Sequence, residues 1–94
     1  MIMNKYESVA IINPNVEENT MKELIERFTT LINSDGKVEQ VNELGKKKLA
    51  YDVKKNKEGY YVVFEFEAKP TLIAELERNY RITDEVIKFI VIRK

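Results

Sequence analysis

An α+β fold with the element order β-α-β-β-α-β is predicted for this chain by three patterns in its sequence. Apolar residues alternate at period two from Leu49 to Val53 (Leu49, Tyr51, Val53) and again from Tyr60 to Phe66 (Tyr60, Val62, Phe64, Phe66), which is the signature of half-buried strands. On either side of this pair lies a stretch with apolar residues at helical spacing. An apolar strand closes the chain, from Val86 to Ile92. With 94 residues there is room for one domain, spanning 1–94, and for one hydrophobic core.

Met3 to Asn13 reads as the first strand. Its run Val9-Ala10-Ile11-Ile12 is too short for a helix, and Asn13-Pro14-Asn15 closes it with turn chemistry. Apolar side chains point both ways, which suits a central strand covered at least partly on both faces. Met21, Leu24, Ile25, Phe28, Leu31 and Ile32 then recur at i, i+3, i+4 and i+7 and form one helical stripe. Thr20 with Glu23 matches a capping box, and Val16 in the same phase could extend the helix back toward Pro14. Asn33-Ser34-Asp35-Gly36 ends it, with Gly36 suited to a left-handed position after the last turn.

Lys37 to Glu43 mixes Val38 and Val41 with charge and leads through Leu44-Gly45 into the hairpin, so that Gly45 marks a bulge or kink in one long strand. The connection Lys54-Lys55-Asn56-Lys57-Glu58-Gly59 supplies turn residues, with Gly59 free to take a positive φ. Pro70 fits the first turn of a second helix, whose apolar face is Leu72, Ile73, Leu76 and Tyr80. Ile82-Thr83-Asp84 turns the chain into the last strand. There are no repeats, low-complexity tracts or linkers.

This order is that of the ferredoxin-like split βαβ arrangement. Two right-handed crossovers place both helices on one face of a four-stranded antiparallel sheet, with the first and third strands central and the second and fourth at the edges. The other face stays open. With Ile87, Phe89 and Val91 turned to the helices, Val86, Ile90 and Ile92 lie on the open face beside Lys88, and an exposed apolar patch of that kind marks a partner-binding surface.

Lysine plus arginine and aspartate plus glutamate number 16 each, so bulk charge points to no particular partner and only its distribution is informative. Cysteine and histidine are both absent, which removes disulfides, thiolate metal sites, and the commonest general base and metal ligand. No signal peptide or membrane span of about 20 apolar residues is visible, and the expected location is the cytoplasm. No metal, cofactor or small-molecule substrate is expected. Asp52 with Glu58, or Glu65 with Glu67, could be taken for carboxylate pairs, but surface charges on strands are far more often merely solvated. No nucleophile has a visible base.

The charge is unevenly spread. Lys46, Lys47, Lys48, Lys54, Lys55 and Lys57 crowd the hairpin. Such a cluster either releases counterions from an RNA backbone or simply keeps an edge strand from pairing with strangers. Lys5, Arg81, Lys88 and Arg93 could form a second cationic patch, because the first and last strands are neighbours. Tyr6, Tyr51, Tyr60 and Tyr61 could stack on bases or serve as core bodies. Tyr60 shares a face with Phe64 and Phe66, and Tyr61, pointing the other way, is the better contact. An RNA-recognition motif shares the fold, but Glu58-Gly59-Tyr60-Tyr61-Val62-Val63-Phe64-Glu65 misses its third-strand pattern at the first, fourth, fifth and eighth positions. A small-molecule-binding regulatory domain is the other alternative on the same fold.

Taken in order, Tyr6-Glu7, Asn13-Pro14-Asn15, Leu44-Gly45 followed by lysines, Leu49-Ala50-Tyr51, Gly59-Tyr60, Pro70, Arg81-Ile82, Asp84, Val86 and the end Arg93-Lys94 resemble the family of the sixth protein of the bacterial small ribosomal subunit. The likeness covers essentially the whole chain. It implies a non-enzymatic ribosomal protein that joins the eighteenth small-subunit protein as a heterodimer and binds the central domain of small-subunit ribosomal RNA. The candidate RNA-binding residues are Lys5, Tyr6, Lys46, Lys47, Lys48, Tyr61, Arg81, Lys88 and Arg93, and the candidate partner-binding residues are Val86, Ile90 and Ile92. Some members of the family carry an acidic or extended tail that this sequence, ending at Lys94, does not show.

Overall fold

The computed structural model describes residues 3–53 and 55–94, so that of the six hairpin lysines Lys54 lies outside the described residues. The elements are β1 (Asn4–Ile12), α1 (Glu18–Asp35), β2 (Gly36–Val53), β3 (Asn56–Ala68), α2 (Pro70–Ile82) and β4 (Val86–Arg93). They form the predicted four-stranded sheet in the order β2-β3-β1-β4, with every neighbouring pair antiparallel.

Side-chain parity divides the sheet into two faces. Tyr6, Ser8, Ala10 and Ile12 of β1 and Val62, Phe64 and Phe66 of β3 are buried on the helix side. Met21, Leu24, Phe28 and Ile32 of α1 and Leu72, Leu76 and Tyr80 of α2 close over them, as their helical spacing requires. Phe28 sits at the centre, edge-on to Tyr80 at 4.7 Å and to Phe64 at 6.4 Å between ring centroids. Inside this apolar layer the Ser8 and Tyr80 hydroxyls lie 2.7 Å apart, so that each buried group has a hydrogen-bond partner.

Several local expectations are corrected. Helix α1 starts at Glu18, with Glu17 as the extended cap residue and no side-chain cap bond, so Thr20 lies within the first turn and forms no capping box with Glu23. Val16, expected to extend the helix back toward Pro14, lies before the helix and packs against the core instead. Gly36 is extended, not left-handed, and begins β2 directly. Its role is space, since a Cβ there would collide with the Glu67 carbonyl and Ala68. The Asn33 side chain accepts the Val38 N–H at 3.0 Å and closes the junction.

Gly59 lies inside β3 opposite Lys47, and the positive φ of the hairpin connection falls on Lys55 at 66°. Gly59 is instead a point of close approach, where a Cβ would strike Ile11. Gly45 does take a positive φ, 84°, at a break in register between Glu43 and Gly45, which is the expected bulge. In β4 the register slips between Ile11 and Ile12, so that Ile11 pairs with Lys88 and Ile12 with Val86. The skipped residue, Ile87, joins Ile11 and Leu49 around Gly59, whereas Val86 is turned into the core at 4% exposure. Val86 is therefore no part of the open face, while Phe89 and Val91 pack toward the helices as expected.

The Ser8–Tyr80 pair is expected to be strongly non-additive. Ser8→Ala or Tyr80→Phe alone leaves one buried hydroxyl unpaired and should cost about 1–3 kcal/mol in urea unfolding, whereas the double variant should recover part of that loss. Burial raises the Tyr80 pKa above its ordinary 10.0, against the opposing hydrogen bond from Ser8. The unfolded chain therefore releases this proton first, and the contribution to stability is lost as pH rises beyond 10.0. Urea midpoints measured between about pH 9 and pH 11 should fall less steeply for Tyr80→Phe than for the parent; equal slopes would mean that Tyr80 ionises in place.

Candidate nucleic-acid interface

The face away from the helices is built in cross-strand rows. Lys37, Glu67 and Lys5 form the first, Gln40, Glu65, Glu7 and Ile92 the second, Asn42, Val63, Val9 and Ile90 the third, and Gly45, Tyr61, Ile11 and Lys88 the fourth. Ile90 and Ile92 are 45% and 51% exposed, so β4 presents an apolar edge next to the half-buried Val9 and Val63. Val86 drops out of this patch, and Ile90 and Ile92 remain on it.

At the end of the face where β1 begins, Glu7 stands directly opposite Glu65, a like-charged pair that opposes strand association. Lys94 lies between them, 2.6 Å from Glu65 and 3.5 Å from Glu7. The hydrogen bond to Glu65 is the main reason that the Lys94 ammonium holds its proton above the usual lysine range. Lys94 also donates its backbone N–H to the Lys5 carbonyl at 2.9 Å, and Arg93 donates to the Asn4 side chain at 3.2 Å. Lys5, Arg93 and Lys94 thus gather at one corner. Lys94 was missed by sequence reasoning, because nothing in its neighbours reveals the two carboxylates that the sheet brings to it.

Lys88 and Arg81 do not join that corner. Lys88 pairs with Ile11, six residues from Lys5 and so roughly 20 Å along the strand. Arg81, in the last turn of α2, lies over the Phe89 ring at 5.8 Å. Arg81 and Lys88 line a cleft at the β4 edge together with Tyr80, Val86, Ile87 and Phe89. The expected second patch is therefore two patches, one at each end of β4.

The β2–β3 ribbon runs on past the end of β1, whose last residue, Ile12, pairs with Tyr60. Beyond that point Lys46, Lys47 and Lys48 face Tyr60, Gly59 and Glu58 in turn. All three lysines are exposed, but successive residues of a strand point to opposite faces, so Lys46 and Lys48 are separated from Lys47. Tyr6 is buried at 6% exposure with its ring stacked on Phe66 at 5.7 Å, which removes it as a base-stacking residue. Tyr60 likewise lies on the helix side, where its hydroxyl donates to Glu43 at 3.0 Å, and burial followed by that contact raises its pKa. Tyr61 projects onto the open face, opposite Ile11.

The far end of the ribbon returns across this face. Tyr51 belongs to one edge strand and Lys88 to the other, yet the Lys88 ammonium donates to the Tyr51 hydroxyl at 2.8 Å and lies 5.0 Å from its ring centroid. That hydrogen bond, with the lysine charge behind it, lowers the Tyr51 pKa. Gly59 makes the return possible, because Ile11 occupies the space of its missing side chain, with Leu49 and Ile87 alongside.

Among the described residues no group of three or more acidic, cysteine or histidine side chains is placed to hold a metal ion, and no helix is long and apolar enough to cross a membrane. The described fold and surface are those of a small ferredoxin-like domain, with cations at the sheet ends and along a ribbon and an apolar strand edge between them. Residues 5–93 match the family described as Ribosomal protein S6, and the chain belongs to that family. It is 45% identical over 91 residues to the small ribosomal subunit protein bS6 of Alkaliphilus oremlandii, covering 97% of each chain. It is 46% identical over 93 residues to that of Clostridium beijerinckii, covering 98% of each. The crystal structure of 30S ribosomal protein S6 from Thermotoga maritima superposes with a TM-score of 0.93 at 38% identity, over 99% of this chain and 89% of that one. This is a family of structural ribosomal proteins of the small subunit, which work in the cytoplasm, and not an enzyme family.

The ribbon's return depends on Gly59, so Gly59→Ala should force the strand away from Ile11 and cost about 1–3 kcal/mol in chemical unfolding, as overpacking does. A change below about 0.5 kcal/mol would show that the ribbon end is not seated on Ile11.

Proposed function

We propose that this chain is a structural constituent of the small ribosomal subunit which binds the central domain of small-subunit ribosomal RNA together with the eighteenth small-subunit protein, and catalyses no reaction. The observation that carries this reading is membership of the S6 family along nearly the whole chain. The surface agrees with it in two respects. Cations on the ribbon and at both ends of β4 can meet phosphates, and the exposed Ile90 and Ile92 offer apolar area that a second protein would cover.

Zero formal charge gives little long-range attraction to a polyanion, and the acids Glu17, Glu18, Glu23, Glu26, Glu75 and Glu77 cover the helical side. Separate cationic patches supply local contacts only. A basic partner seated beside them would complete one surface and lower the ordering cost of binding, so the two proteins should bind RNA cooperatively, with coupling of about 1–3 kcal/mol. The test is affinity for the central-domain RNA at fixed salt, with and without saturating partner. Equal affinity in both conditions would remove the partnership. Replacing Lys46, Lys47 and Lys48 by Gln should flatten the log-log salt dependence by roughly 0.9 for each phosphate no longer neutralised on duplex-like RNA, and Lys5, Arg81, Lys88 and Arg93 are tested in the same way. An unchanged slope would return a lysine to the role of edge protection.

A further inference from the structure

We propose that Tyr51 is a seat for an unpaired RNA base, its ring fixed in place by Lys88 so that the base stacks on the exposed side. Tyr51 is 63% exposed, the most open tyrosine of the core-flanking strands, and no aromatic neighbour covers it among the described residues. The Lys88 ammonium bonds its hydroxyl at 2.8 Å and lies 5.0 Å from its centroid. A tyrosine held at its hydroxyl by a cation and largely exposed keeps π-surface free at little further loss of rotamer freedom. Every nucleobase has a π-face, so such a seat takes unpaired bases without reading their sequence.

The surroundings select RNA over a protein. Between residues 46 and 59 the described ribbon carries Lys46, Lys47, Lys48, Lys55 and Lys57 against only Asp52 and Glu58, which suits a phosphate backbone passing the ring. Lys88 itself lies in the same cross-strand row as Tyr61, two strands away and so about 10 Å, where a second ring faces the open side. The exposed apolar pair Ile90 and Ile92 lies further along β4, which leaves the Tyr51 end to the nucleic acid.

This inference rests on the RNA-binding reading above, and its test separates the two. Affinity for the central-domain RNA is measured with the partner protein present, for the parent, Tyr51→Leu, Tyr51→Phe and Lys88→Gln, with thermal unfolding confirming that each is folded. Tyr51→Leu should weaken binding about tenfold or more while leaving the salt slope unchanged, because a stack is removed and no charge. Tyr51→Phe should keep the stacking ring but lose part of the affinity, less than Tyr51→Leu does, because the hydroxyl by which Lys88 holds the ring is gone, and Lys88→Gln should both weaken binding and reduce the slope. RNA carrying 5-iodouridine at its unpaired positions should photocross-link to Tyr51. Parent-like affinity for Tyr51→Leu, with no cross-link at Tyr51, would overturn the seat while leaving RNA binding intact. A loss confined to affinity for the partner protein would make Tyr51 a protein contact and overturn it equally. No binding by the parent would overturn the underlying reading instead.

Discussion

The arrangement of this domain turns on one buried hydrogen bond, between Ser8 on the central strand and Tyr80 on the second helix. Both side chains are enclosed by apolar groups, and an unpaired hydroxyl in that setting would cost more than the bond gains. The pair therefore acts as a register mark: it is satisfied only when β1 presents Tyr6, Ser8, Ala10 and Ile12 to the helices and α2 lies across the middle of the strand. The Tyr80 ring then rests against Phe28 and Phe89, so that α1, α2 and β4 are set against one body. Everything on the other face follows by parity.

The character of that other face comes from bringing distant residues into line. Glu7 and Glu65 are forced opposite each other because their neighbours Tyr6, Ser8, Phe64 and Phe66 are committed to the core. Lys94 relieves the repulsion from the chain's end, fastening β4 to β1 and β3 at the same point. The slip in register at Ile11 and Ile12 has a larger effect, since it sends Val86 inward and frees Ile87 to pack beneath the ribbon.

The ribbon links fold to interaction. Its length comes from the bulge at Gly45 and the extended lysine-rich segment after it, and its return over the face comes from the absence of a side chain at Gly59. Leu49, Ile87 and Ile11 around Gly59 and the hydrogen bond that Lys88 donates to Tyr51 then seat the ribbon on the face.

Period-two and helical spacing were sufficient in the sequence to determine six elements, their order and the core stripe through Phe28, because each of these depends on which residues repeat along one short segment, while the family was legible only as a resemblance carried by an ordered set of short motifs. The polar signals at element ends were less reliable. Thr20 with Glu23, Gly36 and Gly59 each fit a local motif, yet α1 starts earlier, at Glu18, and close packing against Ala68 and Ile11 explains the two glycines. Only the tertiary structure decided that Val86 is core, that Tyr6 is buried, that the expected cationic patch of Lys5, Arg81, Lys88 and Arg93 is split, and that Tyr51 meets Lys88. The physical reason is the same throughout: a one-residue slip reverses the face of a strand, and contacts between opposite edges of a sheet depend on twist and on a missing Cβ, neither of which leaves a periodic trace in the chain.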